Sequence, residues 1–286
     1  MYTHLISVDQ LKALQHGNTP FKVFDCSFDL KDTEQGKRWF DEAHVTGAVY
    51  VDLDHDLSAS APENAINGGR HPLPRRELFA QTLRSLGFHN AMQAVVYDRA
   101  GGVMAARLWW MLKWAGHDAA AILDGGFQAW TKSGGAVQGG PAPTGAAGDF
   151  ALKPELRHWL DTQHVAQHLN QAGQTLVDAR SAERFRGDVE PLDPVAGHIP
   201  GALNRPGTEN LAAGGRFKPT AQLKAEFGTL LAGREPSSVV HQCGSGVYAT
   251  FNLFAMELAG YAPTPIYAGS WSEWCRTPGL PVATGN

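Results

Sequence analysis

Apolar positions along this chain fall into two alternating patterns. Short blocks with strand character occur at Lys22–Asp25, Ala94–Tyr97 and Ala121–Leu123, and again at Leu176–Ala179, Ser238–Gln242 and Pro265–Tyr267. Stretches with helical spacing lie near Arg75–Leu86, Val103–Ala115 and Phe127–Lys132, then near Thr220–Leu231, Tyr248–Ala259 and Trp271–Trp274. In the segment after Gln242, for example, Phe251, Phe254 and Leu258 stand at i, i+3 and i+7. The N-terminus reads as a strand entering an amphipathic helix, with Ser7 as N-cap and Gln10 three residues on, which makes a capping box. Strand–helix alternation of this kind predicts an α/β fold, a mainly parallel sheet with helices on both faces.

The pattern occurs twice. Shifting the chain by 144 positions brings Val95-Val-Tyr97 onto Val239-Val-His241, Gly102 onto Gly246, Val103 onto Val247, Gly116 onto Gly260, Gly125 onto Gly269, Phe127 onto Trp271 and Trp130 onto Trp274. Further matches pair Val23-Phe-Asp25 with Leu176-Val-Asp178 and His44-Val-Thr-Gly-Ala48 with His198-Ile-Pro-Gly-Ala202. Gly68-Gly-Arg70 and Gly214-Gly-Arg216 each precede a helical segment. The expected organisation is a first domain over 1–134, a linker over 135–149 rich in Gly, Ala and Pro, and a second domain over 150–286. In the gapless register Arg99 falls opposite Cys243, so the second copy is expected to be catalytic and the first a scaffold.

Bulk properties narrow the function. A chain of 286 residues, 43% hydrophobic and 18% charged, suits one large or two ordinary globular domains. A net charge of −4 without a basic stripe speaks against nucleic acid. No run of 18 apolar residues would span a membrane, and no basic segment precedes an apolar one as in a secretory signal. The cysteines, Cys26, Cys243 and Cys275, form no CxxC pair or even framework, so a reducing compartment, the cytoplasm, is expected.

The chemistry concentrates at Cys243-Gly-Ser-Gly-Val-Tyr-Ala249. Cys243 ends a strand and a helix is about to begin. Amides of such a loop have no intrahelical partner and the positive helix end lies beside them, so a thiolate there is stabilised. Gly244 and Gly246 let the backbone curl. The blander alternative is a small apolar cysteine buried at a strand end, as Cys26 and Cys275 are read to be.

With these residues in view, the chain resembles the two-domain rhodanese-type sulfurtransferases over nearly its full length. His198-Ile-Pro-Gly-Ala202 resembles the family's N-terminal signature and Tyr267-Ala-Gly-Ser-Trp-Ser-Glu-Trp274 its C-terminal one. The Cys243 loop resembles that of the 3-mercaptopyruvate branch, CGSGVTA, rather than the basic CRKGVTA loop of the thiosulfate branch. The resemblance implies two tandem rhodanese-like domains and a transfer of sulfane sulfur from 3-mercaptopyruvate through a Cys243 persulfide. The acceptor would be a small thiol, thioredoxin or cyanide, and no metal or other cofactor is implied. It implies a proton relay of Ser245, His71 and Asp54, the last in Val51-Asp-Leu-Asp54. It also implies substrate contacts from Arg184 and the loop residues Gly244, Gly246, Val247 and Tyr248. Where the family has a second arginine, this chain has Asp193, and Arg186 or Arg180 is the expected compensation. Tyr248 replaces the loop threonine.

Other candidates read as structural. Arg180 follows a strand end and suits a partner in Asp178. His44 and His198 recur in both copies, including the one without a nucleophile. His241 suits a buried strand position. His164 and His168 stand at i, i+4 without an acidic companion and read as a solvated helix face rather than a metal site. The tryptophans at 109, 110, 114, 130, 271 and 274 read as packing. Of competing functions, thiosulfate as donor keeps the same chemistry. A phosphatase on the same fold needs an arginine six residues after the cysteine, where Ala249 stands.

Overall fold

A computed structural model describes residues 1–141 and 145–285. Of the segment 135–149 read as a linker, residues 142–144 lie outside the described residues, as does Asn286. The chain forms two compact units. One comprises Met1–Asn64, Pro74–Leu156 and Ala213–Phe217, the other Ala65–Leu73, Arg157–Ala212 and Lys218–Asn286. Each unit thus contains a short arm from the other half of the sequence, and these arms are the two Gly-Gly-Arg segments.

In the first unit the strands are β1 (Leu5–Ile6), β2 (Phe21–Asp25), β3 (His44–Val45), β4 (Val49–Tyr50), β5 (Gln93–Tyr97), β6 (Ala120–Leu123) and β7 (Val137–Gln138). Its helices are α1 (Val8–His16), α2 (Gln35–Glu42), α3 (Arg76–Ser85), α4 (Ala105–Trp114) and α5 (Gly126–Lys132). The second unit has β8 (Trp159–Leu160), β9 (Thr175–Asp178), β10 (Leu203–Asn204), β11 (Val239–Gln242) and β12 (Ile266–Tyr267), with α6 (Thr162–Gln167), α7 (Ala182–Arg186), α8 (Thr220–Leu231), α9 (Val247–Leu258) and α10 (Ser270–Trp274). Each main sheet is parallel, in the order β1-β6-β5-β2-β4 and β8-β12-β11-β9-β10. Position for position, these are one topology. The predicted strands and helices are all present, and α1 carries the capping box between Ser7 and Gln10. The edge strands β4, β8 and β10 are two residues long, too short for an alternation to register.

The cores repeat as well. Val23, Val95, Leu123 and Trp130 are buried in the first unit, and Leu176, Val240, Tyr267, Trp271 and Trp274 in the second. His44 stacks on Phe40 and contacts its carbonyl through Nδ1, and His198 does the same with Phe185.

The ladders correct one expectation. Asp25 stands opposite Tyr97, and Asp178 opposite Gln242. The next rung agrees, with Cys26 N donating to Tyr97 O at 2.8 Å and Ala179 N to Gln242 O at 2.9 Å. The residue after the strand is therefore Asp98 in the first unit and Cys243 in the second. Phe127 N donates to Asp98 O, and Trp271 N to Cys243 O. Asp98, not Arg99, holds the place that Cys243 has in the second unit. From the strand end to the matched glycine, the stretch Asp98–Gly102 is one residue longer than Cys243–Gly246, which a gapless comparison of sequences absorbs silently.

Arg99 has another role. Its guanidinium pairs with Asp25, donates to Ala43 O and lies 4.0 Å from the centre of the Phe127 ring. In the second unit Arg180 pairs with Asp178, donates to Gly197 O and lies 4.9 Å from the centre of Trp271. Both units contain the same guanidinium site against a buried aspartate, filled from different points of the chain.

Candidate active site

Parallel sheets present their functional loops at the carboxyl ends of the strands, and Cys243 follows β11 directly, 2% exposed. Gly246 ends the loop at φ +80° as N-cap of α9, a left-handed conformation that glycine adopts without strain. Cys243 N donates to Ser270 Oγ at 3.1 Å, and Cys243 O and Gly244 O accept from Trp271 N and Ser272 N, each at 2.9 Å. The segment 267–274 is thus a clamp on the backbone of the cysteine loop. Ser270 holds φ at +54°, a costly value for a residue with a side chain.

The first unit shows what such a loop binds. Both carboxyl oxygens of buried Asp98 accept backbone N–H groups: Oδ1 from Ala100 and Gly102, each at 2.8 Å, and Oδ2 from Met104 at 2.7 Å and Ala105 at 2.9 Å. Burial raises the Asp98 carboxyl above its ordinary range, and these four bonds offset part of that rise. Four donors fill the lone-pair positions of a carboxylate, so the cradle is built for an anion. In the second unit the corresponding amides belong to Gly246, Tyr248 and Ala249.

Ser245 and His71 are both buried, with Ser245 Oγ 2.7 Å from His71 Nδ1. The arm 65–73, part of this unit, brings the histidine there. Asp54 lies in the first unit, in the turn after β4, where its N–H donates to Asp52 Oδ1. Arg184 and Arg70 converge on Gly244. A β-carbon on that residue would lie 3.4 Å from Arg184 Nη1 and 3.2 Å from Arg70 Nη2. Arg186, two residues from Arg184 and so on another face of α7, pairs with Asp188. Tyr248 turns its ring toward Gly207.

The sequence comparisons agree with this geometry. The Rhodanese-like domain family matches residues 7–133 and 161–277. A probable 3-mercaptopyruvate sulfurtransferase of Pseudomonas aeruginosa is 44% identical over 99% of this chain and 98% of its own. The chain belongs to the rhodanese-type sulfurtransferases. A putative thiosulfate sulfurtransferase, SseB of Mycobacterium tuberculosis, is 37% identical over 98% of this chain and 97% of its own. The solved 3-mercaptopyruvate sulfurtransferase of Leishmania major superposes with a TM-score of 0.83 at 29% identity, covering 97% of this chain and 76% of that one.

Within this sulfurtransferase the other cysteines sit in unfavourable surroundings. Burial, then the charges of Asp25, Asp98 and Asp56, pushes the Cys26 thiol up, and burial followed by Asp193 raises Cys275. His164 and His168 stack on each other at 4.3 Å, and the described residues contain no cluster of side chains that would hold a metal ion. No described helix is long and apolar enough to cross a membrane. Sequence reasoning missed Ser270, Ser272 and Arg70. The two serines were visible only as letters of a signature, and Arg70 as part of a repeated Gly-Gly-Arg.

Proposed function

We propose that this sulfurtransferase takes sulfane sulfur from 3-mercaptopyruvate and passes it, through a persulfide on Cys243, to a small thiol, to thioredoxin or to cyanide. The observation that carries the reading is the 2.7 Å contact between Ser245 Oγ and His71 Nδ1, one residue beyond the loop glycine that follows the cysteine. The Cys243 thiolate attacks the donor's sulfur, an S–S bond forms and the C–S bond breaks. The electron pair leaves on carbon as the enolate of pyruvate, which requires a proton. A hydroxyl hydrogen-bonded to an imidazole supplies one near neutral pH. Asp54 is the carboxylate that the family motif assigns to the relay. The amides of Gly246, Tyr248 and Ala249 hold the sulfur anion, as their counterparts hold the Asp98 carboxylate. A nucleophile that must stay a thiol between turnovers fits a reducing cytoplasm.

Thiosulfate is the second reading, favoured by the SseB relative. Its leaving sulfite needs no proton, so it makes no use of the Ser245–His71 pair. Turnover with each donor, and the mass of the protein after donor treatment, decide the matter. Faster turnover of 3-mercaptopyruvate and one added sulfur that Cys243→Ser abolishes are expected. Equal or faster turnover of thiosulfate would overturn the donor assignment, and sulfur gained by the Cys243→Ser protein would overturn the nucleophile.

A further inference from the structure

The arm 65–73 carries His71 and belongs to the second unit. Its seat there is the first turn of α10. A β-carbon on Gly69, at φ +91°, would lie 2.7 Å from Gly269 O and 2.9 Å from Ser272 Oγ, so only glycine lets the arm approach this closely. Arg70 N donates to Ser272 Oγ at 3.0 Å. The Glu273 carboxyl packs between the arm and the start of the helix. A β-carbon on Gly68 would lie 3.0 Å from its Cδ, and one on Gly269 would overlap its Oε2. Burial raises this carboxyl above its ordinary range, and hydrogen bonds from Thr162, the Gly68 N–H and the Asn67 side chain offset part of that rise. Asn67 Oδ1 in turn accepts from Leu73 N at 2.8 Å, and Ile66 N donates to Leu73 O at 3.0 Å. The arm is thereby closed into a loop, with His71 between its tied ends.

The same turn holds the cysteine loop. Trp271 N donates to Cys243 O and Ser272 N to Gly244 O, each at 2.9 Å. α10 thus grips the loop of Cys243 and Ser245 by its amides and the arm of His71 by its side chains. Both ends of the Ser245–His71 contact hang from one short helix. The first unit supplies the contrast. Ala129 precedes Trp130 as Glu273 precedes Trp274, and a β-carbon on Gly125 would lie 2.7 Å from Ala129 Cβ, the counterpart of Gly269 against Glu273. The second Gly-Gly-Arg arm, 213–217, belongs to that unit and has Phe217 after its arginine, where the first arm has His71. There a β-carbon on Gly214 or Gly215 would meet nothing within 4 Å. In the unit where phenylalanine replaces the histidine, alanine replaces the carboxylate and the arm's glycines stand open.

We infer that Glu273 is a positioning residue for proton delivery, seating the arm so that His71 Nδ1 meets Ser245 Oγ. It acts through Gly68 and Asn67 rather than on the reacting atoms. Hydrogen bonds to a carboxylate hold a segment more firmly than bonds between neutral groups. This inference rests on the reading of Ser245 and His71 as the proton source for the pyruvate enolate, and the experiment separates the two.

Turnover of 3-mercaptopyruvate and of thiosulfate is measured for the intact chain, for Glu273→Ala, Glu273→Gln and His71→Ala, and for the double variant Glu273→Ala/His71→Ala. Amide hydrogen exchange is followed in peptides covering 66–73 and 243–249 of the same proteins. Glu273→Ala lowers kcat with 3-mercaptopyruvate about 10–100-fold, the loss of bonds to a charged group, and thiosulfate turnover by no more than about threefold. Glu273→Gln, which keeps an acceptor oxygen, recovers most of that loss. The double variant stays within about twofold of His71→Ala alone, since both changes act through one ring. Exchange across 66–73 rises about tenfold in the Ala protein, while 243–249 is unchanged. Equal losses with both donors, losses that add to those of His71→Ala, or unchanged exchange in the arm would overturn the role. If His71→Ala itself leaves 3-mercaptopyruvate turnover unchanged, proton delivery by His71 fails, and exchange at 66–73 alone decides whether Glu273 seats the arm.

Discussion

Asp98 and Cys243 occupy the same place at the ends of β5 and β11, one as a carboxylate wrapped by four amides and the other as a thiol. The duplicated fold has kept the same turn in both units and put a different side chain at its start in each. The first unit closes its cradle with its own side chain, and the second leaves it to a sulfur that can react.

Replacing Cys243 by Asp tests this equivalence. The Cys243→Asp protein is expected to take up no sulfur and show no turnover, yet to unfold within about 1 kcal/mol of the parent, because the cradle compensates a charge that burial would otherwise penalise. A loss of several kcal/mol in urea unfolding would show that the turn before α9 does not stabilise an anion.

The Ser245–His71 contact leads to a donor-dependent effect. His71→Ala and Ser245→Ala are each expected to slow turnover of 3-mercaptopyruvate about 10²–10⁴-fold, the usual range for loss of a positioned acid. Thiosulfate turnover should fall much less. An identical fall with both donors would argue against proton delivery and for a role in shaping the loop.

The shared guanidinium site predicts matched losses of stability from unmatched positions. Arg99→Ala strands buried Asp25, and Arg180→Ala strands buried Asp178. Each is expected to cost about 3–5 kcal/mol in chemical denaturation, the penalty for leaving one partner of a buried pair. Arg99→Ala should leave kcat close to that of the parent. A substitution at either position costing under about 1 kcal/mol would mean that the site is not equivalent in the two units.

His241 gives the stability a pH dependence. Both ring nitrogens are buried without a hydrogen-bond partner, and burial lowers the imidazole to about 3. In the unfolded chain it titrates at about 6.5. Between these values the unfolded state binds one more proton, so this group's penalty is absent above about pH 6.5 and grows as pH falls toward 3. His241→Leu removes the penalty. Relative to the parent, the variant should gain up to about 1.4 kcal/mol for each pH unit below 6.5. Parallel stability profiles for the two proteins would show that the ring is charged or solvated when folded.

Much of the site was legible because its signals are local. The strand–loop–helix around Cys243, the glycines that permit its turn and the helical periodicity of 247–258 depend on neighbours a few residues apart. His71 and Ser245 could be paired from a motif. Arg70 could not. Its side chain reaches Gly244 from an arm some 170 residues away in sequence and pairs there with Asp193. Arg186, equally plausible as a letter, turns to Asp188.

By itself, the sequence determined the class of fold, the duplication and the strand–loop–helix that carries Cys243, since hydrophobic period, turn chemistry and internal repetition are properties of short stretches of chain. Only the tertiary structure decided which residue of the first copy stands at the strand end, where each buried guanidinium comes from and which arginines face the nucleophile loop. A sheet's register is set by backbone hydrogen bonds between strands, and a one-residue loop insertion leaves no mark in a repeat that still matches on both sides. A long cationic side chain, for its part, can enter the same site from several positions along the backbone.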